Sequence, residues 1–103
     1  MIKLSSSGTY TIGGIEASDI ASQYGTPLYV YDIATIENQY NRLDNAFSSI
    51  PRRRINYAMK ALSNINILRT MRRMGSGIDA VSINEVMLAL KAGFEPSKII
   101  YTP

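Results

Sequence analysis

Few side chains in this sequence are able to do chemistry, because it contains neither cysteine nor histidine. A thiolate nucleophile, an imidazole base and the commonest zinc ligands are therefore excluded, and no metal site is predicted. Catalysis would have to use lysine, carboxylate, tyrosine or a borrowed cofactor. Lys60 is the first candidate, since it follows the apolar segment "INYAM" where a buried strand should end. A lysine amine attacks carbonyl carbons, although a lysine at a strand end ordinarily extends into water.

Asp79 is an acidic residue for which the residue pattern alone favours a structural role. It lies in "GIDAV", which predicts a short strand, directly before the segment "SINE". Acidic residues near helix starts are commonly structural, so Asp79 has the alternative role of capping the turn before that helix.

Composition predicts a small globular protein. The chain has 103 residues, of which 46% are hydrophobic and 18% charged, and these fractions favour a packed core over disorder. No apolar run is long enough to cross a bilayer, and the N-terminal segment lacks the apolar region of a signal peptide. We therefore expect a soluble cytoplasmic protein with no membrane partner.

The net charge of +3 comes largely from two arginine clusters. Arg52–Arg54 lie at the entrance of a predicted strand, and a second cluster ends a predicted helix, where cations complement the helix dipole. The aromatic residues lie elsewhere in the sequence, so nucleic acid is not a predicted partner. We expect Arg52–Arg54 to affect solubility or subunit contacts and not turnover.

Local patterns predict the elements that must position these side chains. In the first part of the chain, "TYTI" predicts a strand, Gly13 and Gly14 a turn, and Ser18 the N-cap of a short helix. Residues 28–31 have the β-branched and aromatic composition of a strand. From Ile33 the apolar residues recur at three and four, which predicts a one-faced helix that ends at Pro51.

The second part of the chain continues the alternation. Residues 53–59 predict a buried strand, and Asn64 the cap of a helix that ends at Gly75. "GIDAV" follows as a strand, Ser82 and Glu85 form the capping box of the next helix, and "KIIY" is a last strand.

Alternating strands and helices of these lengths indicate a parallel sheet with right-handed crossovers. An open doubly wound sheet that binds a dinucleotide would carry "GxGxxG" after its first strand, and none follows "YVYD". A (β/α)8 barrel is therefore favoured. Working residues of barrels lie at the C-terminal ends of the strands, and Lys60 lies at such an end.

Three sequence blocks carry a family resemblance: "GTPLYVYD", "INYAMKALSN" and "GSGIDAVSINEVMLALKAGFEPSKIIYT". Together they resemble the opening of the fold-type III decarboxylases that use pyridoxal 5′-phosphate, in particular the diaminopimelate decarboxylase group. The blocks occur in the family's order and spacing, from about Ile15 to the end of the chain. Leu62 stands where this family more often has asparagine, and the lysine itself is retained.

The resemblance implies roles for three residues. Lys60 would form the internal Schiff base with the cofactor, Ala58 would lie against the pyridine ring, and Asp79 would lie close to both. It also implies a homodimer that removes carbon dioxide from a small amino acid. For the diaminopimelate decarboxylase group, the implied substrate is meso-diaminopimelate and the product is L-lysine. Alternatives are ornithine, arginine or carboxynorspermidine decarboxylases, alanine racemase, or a non-catalytic barrel that carries the cofactor.

The resemblance further implies a division of the chain. Residues 1–27 would contribute to a β-domain, and residues 28–103 would form the first strands and helices of a barrel of the alanine racemase type. The chain would then be an incomplete barrel, inactive alone. We expect its open sheet edges and uncovered apolar faces to prevent a stable, cofactor-binding monomer.

Overall fold

A computed structural model describes all 103 residues. Contacts divide the chain into two compact units, Met1–Gln39 and Tyr40–Pro103, and each is described separately below. The predicted division of the chain at 27/28 concerns domains of a larger protein and stays a prediction. None of the helices combines the length and apolarity that crossing a bilayer demands.

The first unit contains a small antiparallel sheet of three strands, β1 (Ile2–Leu4), β2 (Tyr10–Ile12) and β3 (Ile15–Glu16), in that order. β2 and β3 are joined by Gly13 and Gly14, whose φ values of +59° and +85° lie in the left-handed region that favours glycine. The predicted strand and glycine turn are confirmed.

Helix α1 (Ala17–Tyr24) begins earlier than the predicted cap at Ser18. Its N-cap is Glu16, which makes no side-chain capping hydrogen bond. Ser18 lies inside the first turn, so its assignment as the N-cap was wrong. The helix ends at Gly25, with φ +81°.

The predicted strand over residues 28–31 was also wrong. Leu28–Tyr31 belong to neither sheet. Their composition suits a pleated surface, but a strand also needs a neighbour for its backbone hydrogen bonds, and composition carries no information about that neighbour.

Helix α2 (Ile33–Ala46) confirms the helical spacing but ends before Pro51. The residues after Ala46 form turns. The amide of Phe47 still donates to the carbonyl of Leu43, four residues back, whereas the next backbone hydrogen bonds reach only three residues back. No residue of α2 is fully buried, so its apolar stripe is only partly covered within this chain.

The second unit is built from parallel strands. β4 (Asn56–Ala58), β5 (Gly77–Ala80) and β6 (Ile99–Tyr101) lie in chain order, and both pairs are parallel. Helices α3 (Ile65–Arg73) and α4 (Ile83–Ala92) connect them, and short 3₁₀ turns cover Met59–Ala61 and Pro96–Lys98. Sequential order without reversal is the order of strands in a barrel, and it agrees with the predicted start of one.

The core of the second unit lies on one face of its sheet. Ile78 and Ala80 of β5 are fully buried, and α3 adds the buried Leu68. Asp79 lies between Ile78 and Ala80 in β5, so its side chain is on the opposite face of the sheet. The predicted strand over 53–59 is shorter than expected, because the chain turns after Ala58 and buries Met59 completely.

Candidate active site

The face of the sheet opposite the core brings two of the predicted site residues together. Ala58 of β4 is in register with Asp79 of β5, which is in register with Ile100 of β6. Neighbouring strands lie about 4.8 Å apart, so these side chains are adjacent on one face near the C-terminal ends of their strands. Ala58 is small and leaves space beside the Asp79 carboxylate.

The same face of the sheet is closely packed two residues earlier along the two strands. Asn56 is in register with Gly77, and a Cβ built on Gly77 would overlap Asn56 Oδ1 and lie 2.9 Å from the Lys98 carbonyl oxygen. Asn56 Oδ1 is buried and has no hydrogen-bond partner. Only glycine therefore fits at position 77.

Lys60 lies in a 3₁₀ turn and not at the end of a strand. The turn covers Met59–Ala61, directly after β4. Met59 is fully buried and anchors the turn, whereas Lys60 is exposed. The alternation of a strand is therefore broken after Ala58, and the predicted position of Lys60 at the end of a strand is corrected to the turn that directly follows β4.

A pair of hydrogen bonds holds this turn. The amide of Leu62 donates to the carbonyl of Met59 at 3.1 Å, and the hydroxyl of Tyr57 donates to the carbonyl of Leu62 at 2.9 Å. Sequence reasoning missed Tyr57, which was counted only as part of a strand. The one available signal was its hydroxyl, since a half-buried tyrosine hydroxyl usually has a polar partner.

Asp79 is half-buried and receives a short hydrogen bond. Thr102 Oγ1 donates to Asp79 Oδ1 at 2.5 Å, and the Thr102 amide donates to the carbonyl of Ala80 at 2.9 Å. Thr102 thus holds the carboxylate from the end of β6. Sequence reasoning missed Thr102, because nothing in its local pattern indicates a partner 23 residues away.

Capping of α4 does not account for Asp79. Ser82 Oγ accepts from the amide of Glu85 at 3.2 Å, as the capping box predicts. Glu85 reaches back to the amide of Val81 at 2.7 Å, one residue before the expected position. Asp79 is therefore left to face the open side of the sheet.

The arginines lie before β4, at the other end of the strand from Lys60. Arg53 forms two hydrogen bonds to the carboxylate of Asp44, at 2.8 and 2.9 Å. The hydrogen bond from Arg53 holds the pKa of Asp44 below its ordinary value, and that of Arg53 is raised in turn. Burial, and then the charge of Asp44, raise the pKa of Tyr40. Arg54 donates to the carbonyl of Ser97 at 2.9 Å.

Comparison with known proteins identifies the family to which the chain belongs. Residues 33–103 match the family model described as "Pyridoxal-dependent decarboxylase, pyridoxal binding domain". The chain is 46% identical over 102 residues to diaminopimelate decarboxylase of Methanothermobacter thermautotrophicus, covering 98% of this chain and 24% of that relative.

Solved structures give the same result. Diaminopimelate decarboxylase from M. jannaschii in co-complex with L-lysine aligns with a TM-score of 0.90 and 31% identity over 98% of this chain and 24% of that one. Lysine/ornithine decarboxylase from Vibrio vulnificus, complexed with putrescine, aligns with a TM-score of 0.74 and 30% identity over 82% of this chain and 22% of that one. The chain thus spans about a quarter of the relatives it matches, and it belongs to the pyridoxal-dependent decarboxylase family through the pyridoxal-binding domain.

Proposed function

We propose that these residues are the first part of a longer amino-acid decarboxylase in which Lys60 holds pyridoxal 5′-phosphate. The observation that carries the proposal is the solvent-facing amine of Lys60 directly after β4, whose last residue is in register with the carboxylate-bearing Asp79. A lysine amine directly after one strand can bind an aldehyde covalently, and a carboxylate near the end of the neighbouring strand can accept a hydrogen bond from the bound molecule.

The residues present fit this cofactor. Lys60 would bind its aldehyde, Ala58 leaves room for a flat ring, and Asp79 presents an acceptor that Thr102 already orients. When bound, pyridoxal phosphate supplies an electron sink for a carbanion at the substrate α-carbon. The remaining contribution of this chain is to orient the amine and the carboxylate.

For the substrate, we infer meso-diaminopimelate, with L-lysine and carbon dioxide as products. The names of the relatives support this choice, since several diaminopimelate decarboxylases share 37–46% identity with the chain. The likeness to a lysine/ornithine decarboxylase supports the second candidate, a decarboxylase of another basic amino acid. By resemblance alone we also infer a cytoplasmic homodimer.

The first test is made in the longer protein. Lys60→Ala should abolish the visible absorbance band of the bound cofactor and lower turnover by at least about 100-fold, because the turn directly after β4 contains no other lysine. Lys91→Ala, in the exposed last turn of α4, is the matched control and should leave both unchanged. Borohydride reduction and peptide mapping should locate the cofactor on Lys60.

The substrate is tested by measuring carbon dioxide release from meso-diaminopimelate, ornithine, arginine and lysine in parallel. Release from meso-diaminopimelate alone is expected. An absorbance band that survives Lys60→Ala would exclude Lys60 as the cofactor lysine, and release from another amino acid would replace the substrate but keep the reaction class.

A further inference from the structure

We infer that Tyr57 is a positioning residue for Lys60: its hydroxyl ties the turn that carries the lysine to strand β4. The inference rests on the proposed function for its catalytic meaning, but the contact itself is independent of the cofactor. Tyr57 precedes Ala58 in β4, so its side chain points to the opposite face of the sheet from Ala58 and Asp79.

Two hydrogen bonds join residues on either side of Lys60 in the chain. From β4, the Tyr57 hydroxyl reaches forward five residues and donates to the Leu62 carbonyl at 2.9 Å. The amide of Leu62 donates back to the carbonyl of Met59 at 3.1 Å. Leu62 is therefore held at both its amide and its carbonyl, and Lys60 lies between the two attachment points.

The turn needs this support because it is short. A 3₁₀ segment of three residues has few backbone hydrogen bonds, and their geometry is poor, so it contributes little order by itself. Met59, fully buried, anchors the entry of the turn, and Lys60 and Ala61 are exposed. Tyr57 anchors the end of the turn through its hydrogen bond to Leu62. The Lys60 side chain has four rotatable bonds, and it starts from a defined backbone position only if both ends of the turn are held.

Tyr57→Phe is the direct test, since it removes the hydroxyl and keeps the ring that packs in β4. In the longer protein without cofactor, we expect amide hydrogen exchange over residues 59–62 to become about 5- to 30-fold faster, the effect of losing one partly buried hydrogen bond. Tyr24→Phe is the matched control, because Tyr24 is 67% exposed in α1 and should leave this exchange unchanged.

A second readout reports the orientation of Lys60. With cofactor added, Tyr57→Phe should slow covalent capture on Lys60 by a similar factor and reduce the visible circular dichroism of the bound cofactor. The KM for the amino-acid substrate should stay within about twofold of the unsubstituted protein, because Tyr57 lies on the other face of the sheet. A loss of fold would instead change far-UV circular dichroism and all peptides together.

The two proposals fail differently. If the unsubstituted protein captures no cofactor on Lys60, the proposed function fails, and hydrogen exchange still decides whether Tyr57 holds the turn. If capture occurs normally and Tyr57→Phe changes neither exchange over residues 59–62 nor the dichroism, the inference about Tyr57 is overturned and the proposed function stands.

Discussion

The two compact units of this chain differ in how they bury their apolar residues. In Met1–Gln39 no residue is fully buried, and strand residues such as Ile2 and Leu4 are 66% and 63% exposed. In Tyr40–Pro103, Met59, Leu68 and Ile78 are completely buried. Both units have three strands, so strand number does not explain the contrast.

The difference lies in how helices cover the sheets. In the second unit, α3 contacts α4, and α4 contacts β5 and β6. Helix and strand are therefore packed in layers, and each βα step adds its own portion of core. In the first unit, strands of two or three residues and the eight-residue α1 are too small to enclose a side chain completely.

The largest expected effect of a single change tests this contrast directly. Leu68→Ala should lower the free energy of unfolding of the longer protein by about 3 to 4 kcal/mol, because it removes a completely buried side chain. Leu4→Ala makes the same chemical change at a position 63% exposed and should cost about 0.5 kcal/mol or less. Urea unfolding measures both, and equal losses would show that residues outside this chain cover Leu4.

A smaller effect is expected from adding one methyl group to a glycine in each unit. Gly77→Ala would force a Cβ against Asn56 Oδ1 and the Lys98 carbonyl, and should cost about 3 kcal/mol. Gly14→Ala meets no atom within 4 Å and should cost only the strain of its φ of +85°, about 1 kcal/mol. Thermal unfolding of both variants tests the order, and a larger loss at Gly14 would contradict it.

The smallest expected effect concerns the helix starts. Ser82→Ala should cost about 1 kcal/mol, because the Ser82 hydroxyl accepts from the amide of Glu85 at the start of α4. Ser18→Ala, inside the first turn of α1, should leave stability unchanged or slightly raise it, since alanine favours helix. Denaturant midpoints of the two variants decide the point, and a matching loss at Ser18 would restore it as a cap.

The features that could be predicted from sequence depend on neighbours a few residues away. Asn64 caps α3 by accepting from the amide of Asn66, and Ser82 with Glu85 opens α4. Gly93, with φ +95°, ends α4. Each of these contacts spans at most four residues, so the local pattern contains both partners.

The sequence by itself therefore determined the alternation of strands and helices in the second unit, the barrel class, and Lys60 and Asp79 as candidates. Only the tertiary structure decided that residues 28–31 form no strand, that Lys60 lies in a turn after β4, and that Thr102 orients Asp79. The physical reason is common to all three. A strand, a turn held from outside and an oriented carboxylate each need a hydrogen-bond partner whose position the local residue pattern does not specify.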